Sequence, residues 1–235
     1  MFIHKNQKFT IYFGDASQSI SLDEIASQQN TQALQNIADQ LNISQLVFLH
    51  QNHGVQGAVI QNVDTESQFF QHSGDYLITQ KKDCGIGVVT ADCLPIVIYD
   101  SMTHASAIIH AGWKGAAAGI FAITVKKMIE ACGASVDMMQ IYFGPAARPC
   151  CYEVQQDFVS NFLEYPNYEK AFMKKNNQLY FDSTVFTVNI AQNLGIKLKN
   201  IYTTYNVCTI CDASFCSYRR EKENARRQMT LISLY

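Results

Sequence analysis

Charge is scarce in this chain. Only 16% of its 235 residues are Asp, Glu, Lys or Arg, against about 25% in an ordinary soluble domain. The 18 basic and 20 acidic residues leave a net charge of -2, so no basic field exists to hold a nucleic acid backbone or an anionic membrane. Proline is equally sparse, at four residues, and no Gly/Ser-, Pro- or charge-rich stretch interrupts the sequence as a linker would. One domain over 1–235 is therefore expected, with solenoid and collagen periods absent as well. No run of about 18 apolar residues occurs; the richest stretch, Cys84 to Val125, is broken by Asp92, Asp100 and Lys114. Lys5, Lys8 and Asp15 surround only short apolar pieces, so there is no secretory h-region. The mature chain is expected to begin at Met1 and to be a soluble, cytoplasmic monomer.

Hydrophobic residues make up 48% of the chain, which excludes disorder. Eight cysteines without an export signal read as reduced thiols, some of them potential ligands, rather than as a disulfide framework.

Ser21-Leu22-Asp23-Glu24 has the form of a capping box, and Leu34, Ile37, Ala38 and Leu41 follow at helical spacing, which predicts an amphipathic helical region over roughly 21–42. Runs rich in β-branched residues predict strands at Leu46–His50, Asp75–Thr79, Gly85–Thr90, Ile96–Tyr99 and Ala105–His110, with Pro95 separating the third from the fourth. Ile120 to Ile129 reads as a helix closed by Gly133. The second half predicts strands at Ile141–Phe143, Ile201–Tyr205, Phe215–Tyr218 and Met229–Leu234, and helices near Val154–Leu163 and Ser183–Leu194, the latter stopped by Gly195. This order lacks a βαβ rhythm and implies an α+β architecture with mixed sheets.

Three segments place a metal-capable side chain at a strand edge beside glycine or proline: Gln51-Asn52-His53-Gly54, Thr90-Ala91-Asp92-Cys93-Leu94-Pro95 and His110-Ala111-Gly112-Trp113. Loops at sheet edges collect functional side chains. Two imidazoles and one thiolate suit zinc, with a fourth position left for water or substrate as in catalytic sites. On spacing alone, His53 and His110 read equally as hydrogen-bonded turn histidines and Cys93 as a small buried residue, because ligands 40 and 17 residues apart carry no local signature. Cys208 and Cys211 form a CxxC followed closely by Cys216, but a structural zinc site needs a fourth ligand and no second CxxC exists. Cys150-Cys151, beside Pro149, reads as a rigid loop at a site wall. His4, His50, His72 and His104 stand outside any motif. Arg219 and Arg220, on a predicted strand, should point to opposite faces, one as an anion clamp in the pocket and one on the surface.

The segments Thr90–Pro95, His110-Ala111-Gly112-Trp113-Lys114-Gly115, Gly144-Pro145-Ala146 with Cys151-Tyr152-Glu153-Val154, and Cys208-Thr209 with Ser217-Tyr218-Arg219-Arg220 resemble the YfiH, or laccase-domain, family. That family was first described as multicopper polyphenol oxidases and later as purine nucleoside phosphorylases. The match runs in order from about residue 45 onward. The resemblance implies a layered α/β/β/α fold with mixed sheets, related to a bacterial toxin catalytic domain. It puts His53, Cys93 and His110 at the zinc-ligand and catalytic positions, and it implies phosphorolysis of adenosine, inosine or methylthioadenosine, with adenosine deamination as a further activity. The chain departs from the family at its start, where Tyr12-Phe13-Gly14-Asp15-Ala16-Ser17 replaces an Arg-Gly-Gly-Val-Ser segment and an arginine is lost. Cys216 replaces a phenylalanine, and Arg226 stands where a glycine usually precedes Arg227.

Phosphorolysis needs charge stabilised on the departing base and an anion held near the sugar, tasks for a metal and for an arginine, here Arg219. Deamination needs a proton shuttle, but neither histidine begins the His-x-Glu of the zinc deaminases; Asp92 is the candidate, as shuttle or as orienter. Three rivals stand beside this reading. They are a copper polyphenol oxidoreductase, a metal-free hydrolase with Cys93 as nucleophile and His110 as base, and a module that binds a nucleoside or cell-wall precursor without turnover. Six histidines are too few for a multicopper cluster alongside that site.

Overall fold

The computed structural model describes residues 1–22, 28–61 and 69–235, with only the backbone of Gln28, Gln71 and His72. Its strands are β1 (Phe2–Lys5), β2 (Phe9–Phe13), β3 (Gln45–His50), β4 (Gly57–Ile60), β5 (Phe70–Ser73), β6 (Tyr76–Thr79), β7 (Cys84–Thr90), β8 (Leu94–Asp100), β9 (Ser106–Ala111), β10 (Met139–Phe143), β11 (Glu153–Val154), β12 (Phe172–Lys175), β13 (Gln178–Phe181), β14 (Ile201–Tyr202) and β15 (Gln228–Leu234). Its α-helices are α1 (Gln28–Leu41), α2 (Trp113–Ala117), α3 (Ile120–Cys132), α4 (Ser183–Asn193) and α5 (Tyr218–Glu221).

Every residue of β7, β8 and β15 is buried, as expected of strands covered on both faces. One six-stranded sheet runs β1-β2-β15-β7-β3-β5 and a second runs β14-β10-β8-β9-β6-β4. Both are mixed: β3 lies parallel to β7 and β5, and β4 parallel to β6, among otherwise mainly antiparallel neighbours. The two sheets stack face to face through Ile11, Val47, Ile86, Val88 and Ile232 of the first and Leu77, Val97, Ile108 and Tyr142 of the second. Period-2 alternation sends the remaining apolar residues outward. Tyr12, Phe48, Val89 and Leu231 meet Leu34, Ile37 and Ala38 of α1. On the other side Ile96, Ile98, Ile109 and Ile141 meet Ile120, Val125 and Met128 of α3 and Phe186 and Ile190 of α4. The layers are thus α/β/β/α, and the fold is α+β with mixed sheets. A small sheet, β11-β13-β12, flanks the second helix layer through Phe162, Phe172 and Phe181. Among the described residues no helix is long and apolar enough to cross a membrane.

The structure departs from the sequence expectations at four places. Phe215–Tyr218 is not a strand: Ser217 caps the short helix α5, its hydroxyl accepting the Arg220 N–H at 3.2 Å. The Val154–Leu163 helix is replaced by β11, which pairs with β13, and a 3-10 helix at Gln156–Phe162. Pro95 lies inside β8, second in the strand, where its missing N–H is tolerated. The Ile201–Tyr205 strand stops at Tyr202. The helix expected over 21–42 is described from Gln28, so Asp23 and Glu24 of the capping box, like the His72 side chain, lie outside the described residues.

Gly87 of β7 faces Phe48 of β3, its partner in the ladder. A Cβ there would stand 2.4 Å from Phe48 Cε1, against a ring that is fully buried. Gly87→Ala should therefore cost about 1–3 kcal/mol by overpacking, read as a lower urea midpoint at unchanged slope. An unchanged midpoint would show that the ring can give way.

Candidate functional site

Two left-handed backbone positions shape one end of the sandwich. His53, at φ 61°, follows β3, and Asp92, at φ 83°, sits in the tight connection between β7 and β8. Neither is glycine, and each conformation persists because a carboxylate imposes it. Asp75, fully buried just before β6, accepts the backbone N–H of His53 at 3.0 Å and that of Gly54 at 2.7 Å. The same Asp75 lies 2.7 Å from His110 Nδ1. Asp92 accepts the Thr209 and Ser217 hydroxyls at 2.7 and 3.0 Å and the Arg219 backbone N–H at 2.6 Å. The side chain weighed as a proton shuttle therefore has both oxygens engaged as an orienter of the loops.

The structure brings His53, Cys93 and His110 together. Their ligand atoms all lie within 4.8 Å of one another, and Cys93 Sγ is 3.9 Å from His53 Nε2; sulfur and nitrogen stand ~3.6 Å apart across a tetrahedral zinc. The Asp75 contact takes His110 Nδ1 and leaves Nε2 as that ring's donor, the arrangement by which a carboxylate sets the tautomer of a ligating histidine. At Gly112, the cap of α2, a Cβ would meet His53 Cδ2 at 2.9 Å and Cys93 Sγ at 3.2 Å. Glycine there keeps the space between the three donors open, and donor set and space together fit a single thiophilic divalent ion.

Electrostatics prepares the same chemistry. Burial pushes the Cys93 thiol up, but the neighbouring His110 and His53 imidazoles outweigh it and bring it down to about 6. Burial pushes His110 down, whereas the Cys93 thiolate and the Asp75 carboxylate raise it. The lowering favours the Cys93 thiolate, the form that ligates metals or attacks electrophiles.

The donors open into a cleft of about 760 Å³. Its wall includes Trp113, Tyr152, Phe181 and Tyr218, and its charged lining outside the histidines is Lys114, Arg219, Lys222 and Arg227 against Asp92. Arg219 lies over the Tyr152 ring, 5.3 Å from its centroid, and donates to the Glu153 carbonyl at 3.2 Å. It does reach the cleft, but from a helical turn rather than by strand alternation. Arg220 turns away and ties the Thr209, Ile210 and Phe215 carbonyls together. Arg226, in place of the family's glycine, clasps Ser19 through its hydroxyl and carbonyl. Sequence reasoning missed Asp75, Lys222 and the Tyr152–Arg219 stack; Asp75 carried no motif, only its place as the first residue of a predicted strand.

The buried carboxylate generates a test. Burial pushes the Asp75 carboxyl up, but the hydrogen bonds from His110, Gly54 and His53 outweigh it and hold it below the ordinary carboxylate range. Its contribution to stability is therefore present above about pH 4 and lost as pH falls through the lowered value. Asp75→Asn should lower metal affinity about 10- to 100-fold, measured by competition with a chromophoric chelator, and should flatten the acid limb of the melting-temperature profile. Unchanged affinity would show that His110 holds its tautomer without this carboxylate.

A family model described as multi-copper polyphenol oxidoreductase laccase matches residues 16–235. A purine nucleoside phosphorylase of Clostridium acetobutylicum is 29% identical over 97% of this chain and 93% of its own length. A protein of an unknown prokaryotic organism named adenosine deaminase RL5 is 31% identical over 82% of this chain and 76% of its own. The crystal structure of the Bacillus licheniformis hypothetical protein YfiH superposes with a TM-score of 0.84 at 26% identity, covering 97% of this chain and 91% of that one. With nearly its whole length matched, the chain belongs to the multi-copper polyphenol oxidoreductase laccase family, the YfiH family.

Proposed function

We propose that this protein is a purine nucleoside phosphorylase that cleaves adenosine, inosine or methylthioadenosine with phosphate, using zinc held by His53, Cys93 and His110. The observation that carries the reading is the coexistence, in one cleft, of a His/Cys/His donor set and, among the described residues, a lining of Lys114, Arg219, Lys222 and Arg227 with one carboxylate. A cationic wall beside a metal-competent floor suits an anionic co-substrate and a departing base. The name borne by the Clostridium relative supports the same reading.

The ion, when bound, supplies Lewis-acid stabilisation of developing negative charge. The side chains do the rest. Arg219, braced on Tyr152 and Glu153, presents its remaining N–H donors to phosphate. A phosphate oxygen forms a bond to C1′ of the ribose as the C1′–N9 bond breaks, and the purine leaves with the electron pair. The proton that hydrogenphosphate gives up balances the base. Tyr152 stays protonated, since burial first, then Cys93 and Asp92, push its hydroxyl up to about 12 against Arg219, so it offers a hydrogen bond to that charge. Trp113 and Tyr218 supply exposed aromatic faces for the purine.

Deamination would need a free carboxylate to carry protons, and the one carboxylate that lines the cleft among the described residues, Asp92, already accepts three hydrogen bonds. Phosphorolysis therefore ranks first, although one relative is named a deaminase. One observation favours a second reading: Cys93, His110 and Asp75 also form a nucleophile–base–carboxylate chain, the arrangement of a thiol hydrolase.

Zinc-loaded protein incubated with adenosine should release adenine and ribose 1-phosphate only when phosphate is present. Absence of adenine and ribose 1-phosphate even with phosphate present, inosine being the sole product, would overturn the phosphorylase reading, and turnover that survives exhaustive chelation would favour the thiol one. Arg219→Lys should raise the phosphate KM about tenfold, the loss of one charge-assisted hydrogen bond of ~1.5 kcal/mol, with a smaller change in the nucleoside KM. Arg220→Lys should spare that ratio. Equal changes in both KM values for Arg219→Lys would make it a structural residue.

A further inference from the structure

Half of the eight cysteines meet at one point outside the cleft's donor set. Cys150 and Cys151 lie in the loop between β10 and β11, and Cys208 and Cys211 in the loop after β14. Two backbone bonds join these loops: Ala146 N–H to the Val207 carbonyl and Thr209 N–H to the Ala146 carbonyl, each 3.0 Å. The bridge sets Ala146 against Cys208, so the vicinal pair and the CxxC turn face each other. All four sulfurs lie within 4.8 Å of one another. Cys211 Sγ stands 3.3 Å from Cys150 Sγ and 2.9 Å from Cys151 Sγ. One sulfur shared between two neighbours describes a cluster around a point, where two disulfides would give separate pairs. The third and fourth ligands that the CxxC lacks in sequence are thus supplied by the vicinal pair; Cys216 is buried elsewhere, its N–H on the Gln228 side chain.

We propose that Cys150, Cys151, Cys208 and Cys211 form a second metal site, a tetrathiolate that holds one structural zinc ion. Four thiolates around zinc stand ~3.8 Å apart, inside the 4.8 Å that contains all four sulfurs, whereas an iron–sulfur cluster spreads its thiolates over two or more irons. Soft sulfur donors in a tetrahedral set select zinc over harder cations. Cys150 and Cys211 are exposed, which gives an ion a path from solvent. Four protein ligands leave no open position, so the site serves structure rather than chemistry. It fastens the 144–152 loop to the 203–217 loop, and these carry Tyr152, Ile210 and the approach to Arg219 on the cleft wall. The proposal stands independently of the phosphorylase reading.

The test uses the full chain carrying Cys93→Ser, which disables the cleft's donor set, purified under reducing conditions. Elemental analysis and native mass spectrometry should find one zinc per chain, and cobalt exchanged for it should show thiolate-to-metal charge-transfer bands of four-sulfur intensity. Adding either Cys208→Ser with Cys211→Ser or Cys150→Ser with Cys151→Ser should abolish both signals and lower the melting temperature. The two pairs act as checks on each other should one variant fail to fold. The proposal is overturned if the Cys93→Ser chain holds no zinc while all four thiols react freely, if the unreduced protein is lighter by two hydrogens and maps to a disulfide among them, or if zinc survives both double substitutions.

Discussion

The site depends on one buried carboxylate. Asp75 collects the N–H groups of His53 and Gly54 from the first sheet's exit loop and Nδ1 of His110 from the second sheet. Removing a carboxylate from water costs several kcal/mol, and three donors offset that cost without exceeding it by much. What Asp75 contributes is position. It forces the left-handed turn at His53, selects the His110 tautomer and brings two sheets into register at one end. Gly54, held by the same carboxylate, leaves its carbonyl where a Cβ at Gly115 would stand only 2.8 Å away, so α2 docks on the turn that Asp75 shapes.

Asp92 does the corresponding work for the other wall. It too occupies a left-handed position, and its carboxylate gathers Thr209, Ser217 and the start of α5. Cys93 is the next residue, so the strain of the β7–β8 connection and the placement of the sulfur have one cause. The cleft is assembled from segments more than a hundred residues apart, held together by these two acids.

The central strands were legible because burial on both faces leaves an unbroken apolar run, as in Cys84–Thr90 and Met229–Leu234. The β12–β13 hairpin was not, because Lys174-Lys175-Asn176-Asn177-Gln178 reads as a polar loop and its apolar residues serve a satellite cluster. The three donors could be named from strand edges and from a family resemblance, whereas Asp75 could not: its partners lie 22 and 35 residues away and leave no local pattern. Arg219 was identified for the wrong reason, since strand alternation and a helical turn both separate adjacent side chains. The four-cysteine cluster escaped because its halves are about 60 residues apart, joined by a bridge that no periodicity announces.

The order of strands in the first sheet sets how the molecule comes into being. Residues 228–234 form its middle, between β2 and β7, so a nascent chain on the ribosome carries two of its most apolar strands with facing edges exposed until residues 228–234 have emerged. Contacts between segments over two hundred residues apart make that closing step slow, and open edges invite pairing with other chains. The surface that matters most for solubility during synthesis is therefore one that the finished protein never shows.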